Sequence, residues 1–196
     1  PTDTLPQVRL WGVRGSVPTP EADHLVHGGN TPCVEMRTSG NDVLVIDGGT
    51  GIRPLGARLD VEFGGSGVTV HVLLSHFHWD HLQGIPYFAP LSSELSEIVF
   101  YANVSSDRIE AALNSQMQAP FFPISLDQMV AQRRFVSLPA AGLQIGDTHV
   151  IPVSLNHPQG AGGFRIDDGP RSLLYASDHE HGDVVVDNAI REAATG

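Results

Sequence analysis

The stretch Ser75-His76-Phe77-His78-Trp79-Asp80-His81 places four potential metal ligands within six positions. It follows an apolar run, residues 68–74, whose β-branched residues predict a buried strand. In a helix, at about 100° per residue, His76 and His78 would point to nearly opposite sides, whereas a loop after a strand can turn the ligands inward. Imidazole nitrogens and carboxylate oxygens are ligands of zinc, iron and manganese. Four of them exceed what one ion takes from one segment, so the spacing predicts two ions side by side.

The composition predicts a single domain over residues 1–196. Apolar residues make up 41% of the chain, and 21 glycines and 14 prolines indicate short elements joined by many turns. No apolar stretch reaches the length of about 20 residues that spans a membrane, and the N-terminus lacks the features of a signal peptide. The single cysteine, Cys33, excludes an internal disulfide. We therefore expect a soluble cytoplasmic protein without a membrane partner, and the oligomeric state stays open.

The charge balance argues against long nucleic acid as a partner. All 11 basic residues are arginines, 22 residues are acidic, and the net charge is −11. The sequence shows no basic stripe that could release counterions from a phosphate backbone, and Arg133-Arg134 is the only adjacent basic pair. A small anionic substrate stays compatible with this balance, because two divalent cations would reverse the potential at the site.

The predicted elements fall into two β-rich halves with helices between them. In the first half, a strand at residues 8–13 precedes the loop Arg14-Gly15-Ser16, and a hairpin of residues 30–38 and 42–47 ends in Asp47-Gly48-Gly49-Thr50-Gly51. Helices are expected over residues 51–59 and 105–118. The second half contains short strands, at residues 135–138, 149–155, 163–166 and 172–177. This order predicts an α/β fold in which two paired sheets are covered by helices.

Two further metal ligands are expected at strand ends in the second half. His157 follows the strand at 149–155, and Asp178 follows the strand at 172–177. From these positions both side chains can meet residues 76–81 across the gap between the sheets. The glycine-rich turn after Asp47 suits a close approach of backbone to the same site, with an ordinary turn as the alternative.

The chain resembles the metallo-β-lactamase superfamily, and within it the ribonuclease Z and cyclic phosphodiesterase branch. The resemblance covers essentially the whole chain and rests on Leu10-Trp11-Gly12-Val13-Arg14-Gly15-Ser16, Gly28-Gly29-Asn30-Thr31, Asp47-Gly48-Gly49-Thr50-Gly51, His76 to His81, Leu155-Asn156-His157-Pro158 and Ser177-Asp178. It implies an αββα sandwich with a metal centre at one edge.

The resemblance also implies which residues bind two divalent ions, with zinc expected first and manganese or iron as alternatives. By the family pattern, the first ion is bound by His76, His78 and His157, the second by Asp80 and His81, and Asp178 bridges the two. Asp47 would orient one of the ligand histidines from behind.

The end of the chain departs from the family pattern. The family's second ion takes one more histidine, which lies well beyond the bridging aspartate and after a further strand and helix. Here 18 residues follow Asp178 (196 − 178), and residues 184–194 predict a helix. We therefore expect a C-terminally incomplete copy of the domain. His179 and His181 are weak substitutes, because they adjoin Asp178 on the turn, where the family usually has no ligand.

The implied activity is hydrolysis by a dinuclear metal site. Two divalent ions about 3.5–4 Å apart would deprotonate a water near neutral pH and stabilise the charge that develops on a phosphoryl group. The resemblance favours phosphodiester hydrolysis of a small or cyclic substrate, with Asp80 managing protons beside the nucleophile. Arg14 and the amides of Gly15 and Ser16 are candidates for binding the phosphate, with a structural turn as the alternative.

Two other functions stay open on the same residues. The metal ligands alone do not distinguish a phosphodiester from a lactone, thioester or β-lactam, and the preference for the first rests on analogy. Because the family's further histidine at the second ion is missing, a metal-binding module with weak or no turnover is the other alternative. His78 argues against a redox di-iron protein, because the redox branch of the superfamily carries a carboxylate there.

Overall fold

The structure is a computed structural model that describes residues 5–24 and 26–195. Two β-sheets face each other and carry helices on their outer faces. The first sheet runs in the order β1 Gln7–Gly12, β2 Cys33–Arg37, β3 Val43–Ile46, β4 Thr69–Leu73, β5 Glu97–Ala102 and β6 Gln132–Ser137. β1 to β3 pair antiparallel and β3 to β6 parallel, so the carboxyl ends of the parallel strands meet at one edge.

The second sheet is antiparallel. Its strands are β7 Leu143–Ile145, β8 Thr148–Leu155, β9 Ala161–Asp168 and β10 Arg171–Tyr175, in the spatial order β10-β9-β8-β7. The helices are α1 Ile52–Phe63, α2 Trp79–Leu82, α3 Ser106–Gln116 and α4 Val184–Thr195. Short 3₁₀ turns lie at Ala22–His24, Ile85–Tyr87, Ala89–Ser92 and Leu126–Gln128. No helix within the described ranges is long and apolar enough to cross a membrane.

Continuous apolar runs form the central strands because both faces of the first sheet are covered. Successive side chains of a strand point to opposite faces. One set, which includes Val45, Val72 and Phe100, packs against Leu55 of α1 and Leu113 of α3. The other set lies between the sheets and includes Leu44, Leu73, Val99, Val150 and Phe164. The αββα fold expected from the sequence is confirmed.

The structure corrects two details of the second half. β6 begins at Gln132 rather than at residue 135, because the polar Gln132-Arg133-Arg134 segment pairs in parallel with β5. The three-residue strand β7 was not predicted, and it forms a hairpin with β8. The helix expected at the end of the chain is present as α4 and packs on the outer face of the second sheet, where Arg165 Nη1 donates to the Ala193 carbonyl at 2.7 Å.

Candidate metal centre

Strand ends bring the predicted ligands to one edge of the sandwich. Residues 75–81 leave β4 and turn into α2 at Trp79, so His76, His78 and His81 lie on a short loop and its first helical turn. His157 follows β8, and Asp178 follows β10 in a left-handed conformation with φ 52°. The loops after β8 and β10 are joined through Asn156, whose backbone carbonyl and side-chain amide both bond to Glu180.

One group of imidazoles can hold an ion. The ligand nitrogens of His76, His78 and His157 lie within 4.8 Å of one another. His78 Nδ1 and His157 Nε2 are 3.1 Å apart, and His76 Nε2 is buried without a hydrogen-bond partner among the residues that the structure describes. Nitrogens on tetrahedral zinc, with bonds of about 2.0–2.1 Å, are separated by about 3.4 Å. The spacing and the unpartnered nitrogen therefore fit a shared divalent ion.

A second group shares His76 with the first. The ligand atoms of His76, His81 and Asp178 also lie within 4.8 Å of one another, and His81 Nε2 is 2.8 Å from Asp178 Oδ2. Asp80 lies beside this group, with its Oδ2 at 3.6 Å from His81 Nε2. The same oxygen accepts the backbone N–H of Ser16 at 2.7 Å. A mixed nitrogen and oxygen donor set of this kind suits zinc, iron or manganese.

Asp47 sets the tautomers of two histidines. It is fully buried at the end of β3, and its Oδ2 accepts from His81 Nδ1 at 2.7 Å, which leaves His81 Nε2 free to ligate. Ser75 Oγ donates to the same Asp47 oxygen at 2.8 Å and lies 3.0 Å from His76 Nδ1. Ser75 can therefore accept the Nδ1 proton of His76, so that His76 Nε2 also presents a lone pair to the site.

The two central histidines differ in basicity. Burial lowers the pKa of His76 to about 4, and the neighbouring His81 adds to that shift. Burial also lowers the pKa of His81, but its hydrogen bond to Asp47 and the charges of Asp47, Asp80 and Asp178 outweigh burial, so the pKa of His81 is raised. His76 thus stays available as a neutral ligand over a wide pH range. At His81, in contrast, protons compete with a metal ion for the ring nitrogen.

The glycine-rich turn after Asp47 lies directly against the ligand loop. The Gly48 N–H donates to the His81 carbonyl at 2.7 Å. A Cβ on Gly49 would stand 2.3 Å from the Asp80 carbonyl oxygen, which no real side chain allows. The close backbone approach expected from this turn is confirmed.

Three residues that orient the site were not predicted from the sequence. Gln159 Oε1 lies 3.2 Å from His78 Nε2, so the amide can hold the Nε2 proton of His78 and leave Nδ1 free. The Tyr175 hydroxyl donates to Asp47 Oδ2 at 2.8 Å, and burial raises the pKa of this phenol. Ser75 is the third. The proximity of Gln159 to His157 and of Ser75 to His76 along the chain was the available signal.

Several predicted or alternative residues contact other partners. Arg14 Nη2 donates to the His24 carbonyl at 3.3 Å, and the Ser16 amide is taken by Asp80. A phosphate-binding role for Arg14, Gly15 and Ser16 stays a prediction. His179 Nδ1 accepts the Asn156 N–H at 3.2 Å and its Nε2 faces Asp187 of α4 at 2.8 Å, so its ring is held by α4 and outside both ligand groups. The His181 side chain is 84% exposed.

Comparison with known proteins identifies the fold. A family model described as the β-lactamase superfamily domain matches residues 43–195. The metallo-β-lactamase fold protein YhfI from Bacillus subtilis is similar with a TM-score of 0.64 and 19% identity, over 91% of this chain and 64% of that chain. A diphosphatase from the PhnP family is similar with a TM-score of 0.55 and 19% identity, over 82% of this chain and 62% of that chain.

The short form of human tRNase Z is also similar, with a TM-score of 0.51 and 18% identity, over 89% of this chain and 71% of that chain. No curated protein sequence matches this one. By the coverages given above, this chain spans slightly less than two thirds of the lengths of YhfI and of the PhnP-family diphosphatase.

Proposed function

This chain belongs to the β-lactamase superfamily, and we propose that it is a metal-dependent hydrolase that cleaves phosphodiesters of a small or cyclic substrate. The observation that carries the proposal is the pair of ligand groups that share His76 at the edge of the sandwich. The unpartnered His76 Nε2 supports it further, because a buried ring nitrogen without a partner is costly unless it binds something.

We assign one divalent ion to His76, His78 and His157, and a second to His81 and Asp178 with Asp80 beside them. Such ions supply Lewis acidity, which activates water and stabilises negative charge on a phosphoryl group. Asp47, Ser75 and Gln159 hold the protons of the ligand histidines on the nitrogens that face away from the site.

Hydrolysis forms a new P–O bond from water and breaks the P–O bond to the leaving alkoxide, and the proton that the water loses passes to that alkoxide. We assign that proton transfer to Asp80, whose side chain is only 13% exposed. The Ser16 amide donates to one oxygen of this carboxylate, which favours its position beside His81. Replacing Asp80 should therefore slow protonation of the leaving group more than it weakens substrate binding.

Phosphodiesters are favoured over carbonyl substrates by two observations. Two of the similar structures are, by their names, a diphosphatase and a tRNase Z. The motifs around Asp47 and His157 also resemble the phosphodiesterase branch. A β-lactam, lactone or thioester is the competing substrate class, and a direct assay separates the two.

The test measures bound metal and turnover in the same preparation. Purified protein never exposed to chelator is analysed for metal per chain, then assayed with bis(4-nitrophenyl) phosphate, a chromogenic lactone and a chromogenic cephalosporin. His76→Ala, which removes a ligand of the first ion, should lower metal content and abolish diester turnover. The control His149→Ala, at the far end of β8, should change neither. Protein without bound metal, or faster turnover of a carbonyl substrate, would overturn the proposal.

A further inference from the structure

A cavity of about 350 Å³ opens beside the first ligand group. His76 and His78 form part of its wall, together with Gln159, so the cavity is continuous with the proposed reaction site. Its volume lies in the range of small-molecule sites, which is about 300–1,000 Å³. Whatever group of a substrate extends away from the first ion has this space to occupy.

The lining of the cavity is unusual for so acidic a chain. The net charge is −11, with 22 acidic residues, yet no aspartate or glutamate is among the described residues that line the cavity. Its one strongly basic residue is Arg108, in the first turn of α3. Phe77, Val104 and Leu155 supply an apolar surface around it.

Arg108 is available to bind a ligand. Within residues 5–24 and 26–195, no carboxylate lies within 4.0 Å of its guanidinium, and its side chain makes no hydrogen bond. Some other arginines are paired, for example Arg37 with Glu35 and Glu62, and Arg134 with Glu97. A guanidinium carries five N–H donors in a planar fork that matches a carboxylate or phosphate.

We propose that Arg108 binds a second anionic group of the substrate, so that the preferred substrate is a phosphodiester whose organic part carries a carboxylate or a phosphate. The inference rests on the proposed function for the position of the scissile phosphate. Arg108 is a specificity-determining residue in this assignment, and the apolar wall packs against the linker between the two anions. A charge-assisted, bidentate contact of this kind is stronger than a neutral hydrogen bond.

Three matched substrates test the proposal: the 4-nitrophenyl phosphodiesters of propanol, of 3-hydroxypropanoate and of 2-hydroxyethyl phosphate. Wild-type protein should show a higher kcat/KM for the two anionic diesters than for the propyl diester. Arg108→Gln should lower that selectivity ratio about 10- to 100-fold, the loss expected for one charge-assisted contact. Arg108→Lys should recover part of it. The two anionic diesters separate a site for carboxylates from a site for phosphates.

The matched control is Arg53→Gln, another exposed arginine in the first turn of a helix but outside the cavity lining. It should keep the wild-type ratio. An unchanged ratio in Arg108→Gln, or an equal loss on all three diesters, would overturn the proposal.

Calorimetry with 2-carboxyethyl phosphate, ethane-1,2-diyl bisphosphate and propyl phosphate separates this inference from the proposed function. If no diester is hydrolysed, tighter binding of either compound with a second anion, in a way that depends on Arg108, still supports the anion site. Equal binding of all three compounds would reject it.

Discussion

Replacing Asp47 with asparagine should weaken binding of the ion held by His81 about 10- to 100-fold, the usual effect of losing a carboxylate behind a ligand histidine. Asp47 accepts the Ser75 N–H on Oδ1, and the Ser75 hydroxyl, His81 Nδ1 and the Tyr175 hydroxyl on Oδ2, at 2.7–2.8 Å. An asparagine carries one oxygen and one NH₂ group, so it cannot accept on both sides.

The expected magnitude follows from that count. With its oxygen in place of Oδ2, the amide keeps three bonds and turns its NH₂ toward the Ser75 N–H, which leaves a buried donor unsatisfied at a cost of about 1–3 kcal/mol. The lost negative charge also makes His81 a poorer ligand. A 10- to 100-fold loss of affinity for the ion corresponds to about 1.4–2.8 kcal/mol of binding free energy.

The assay is competition for zinc with a chromogenic chelator, combined with urea unfolding of the metal-free protein. Asp168→Asn is the matched control, because Asp168 is equally buried and accepts the N–H and hydroxyl of Ser39 at 2.7 and 2.6 Å, away from the ligand groups. Both variants should lose stability, and Asp47→Asn alone should lose metal affinity. The reasoning is refuted if folded Asp47→Asn binds both ions like wild type, or if the control loses the same affinity.

Three further predictions concern the same edge of the fold. Because the pKa of His81 is raised and that of His76 is lowered to about 4, a falling pH protonates His81 before His76, so stepwise acid dialysis with elemental analysis should show the ion at His81 leaving before the ion at His76. Simultaneous loss of both ions would contradict this order. Gly49→Ala would place a Cβ 2.3 Å from backbone and should lower the unfolding free energy and turnover, whereas Gly40→Ala, whose nearest neighbour is a side chain at 3.3 Å, should be tolerated in the same thermal and activity assays. Tyr175→Phe removes one hydrogen bond and should cost about 1 kcal/mol of stability in urea unfolding, with a smaller effect on metal affinity than Asp47→Asn. If neither the unfolding free energy nor the metal affinity changes in Tyr175→Phe, the Tyr175 hydroxyl does not stabilise the Asp47 carboxylate.

The sequence predicted the parts of the site that follow from local pattern. An apolar run followed by closely spaced histidines fixes a strand and the loop after it, and His157 and Asp178 were expected because each stands after a strand of its own. The αββα layers followed from the order of the elements. These features depend on neighbours in the chain, and the structure places His157 after β8 and Asp178 after β10, while their role as metal ligands stays a prediction.

The parts that were missed depend on contacts between distant segments. Tyr175 reaches Asp47 across the gap between the sheets, 128 positions away, and no local pattern marks that pairing. Gln159 lies in a turn with φ 67°, and its side chain meets His78 from another loop. The start of β6 was misplaced because polar residues at a sheet edge carry no apolar periodicity.

Acidic side chains lie on one side of the site and a basic side chain on the other, and this difference affects how a substrate would bind. Asp47, Asp80 and Asp178 all lie within reach of His81, on the side of the second ligand group. The cavity on the side of the first group has no carboxylate in its described lining and contains Arg108. Carboxylates beside the second ligand group repel an anionic organic part and Arg108 attracts it, so that part should extend toward Arg108 while the leaving group faces Asp80. This orientation puts the proton-handling carboxylate and the anion-binding arginine at opposite ends of one substrate, which is why Asp80→Asn should depress kcat while Arg108→Gln changes selectivity.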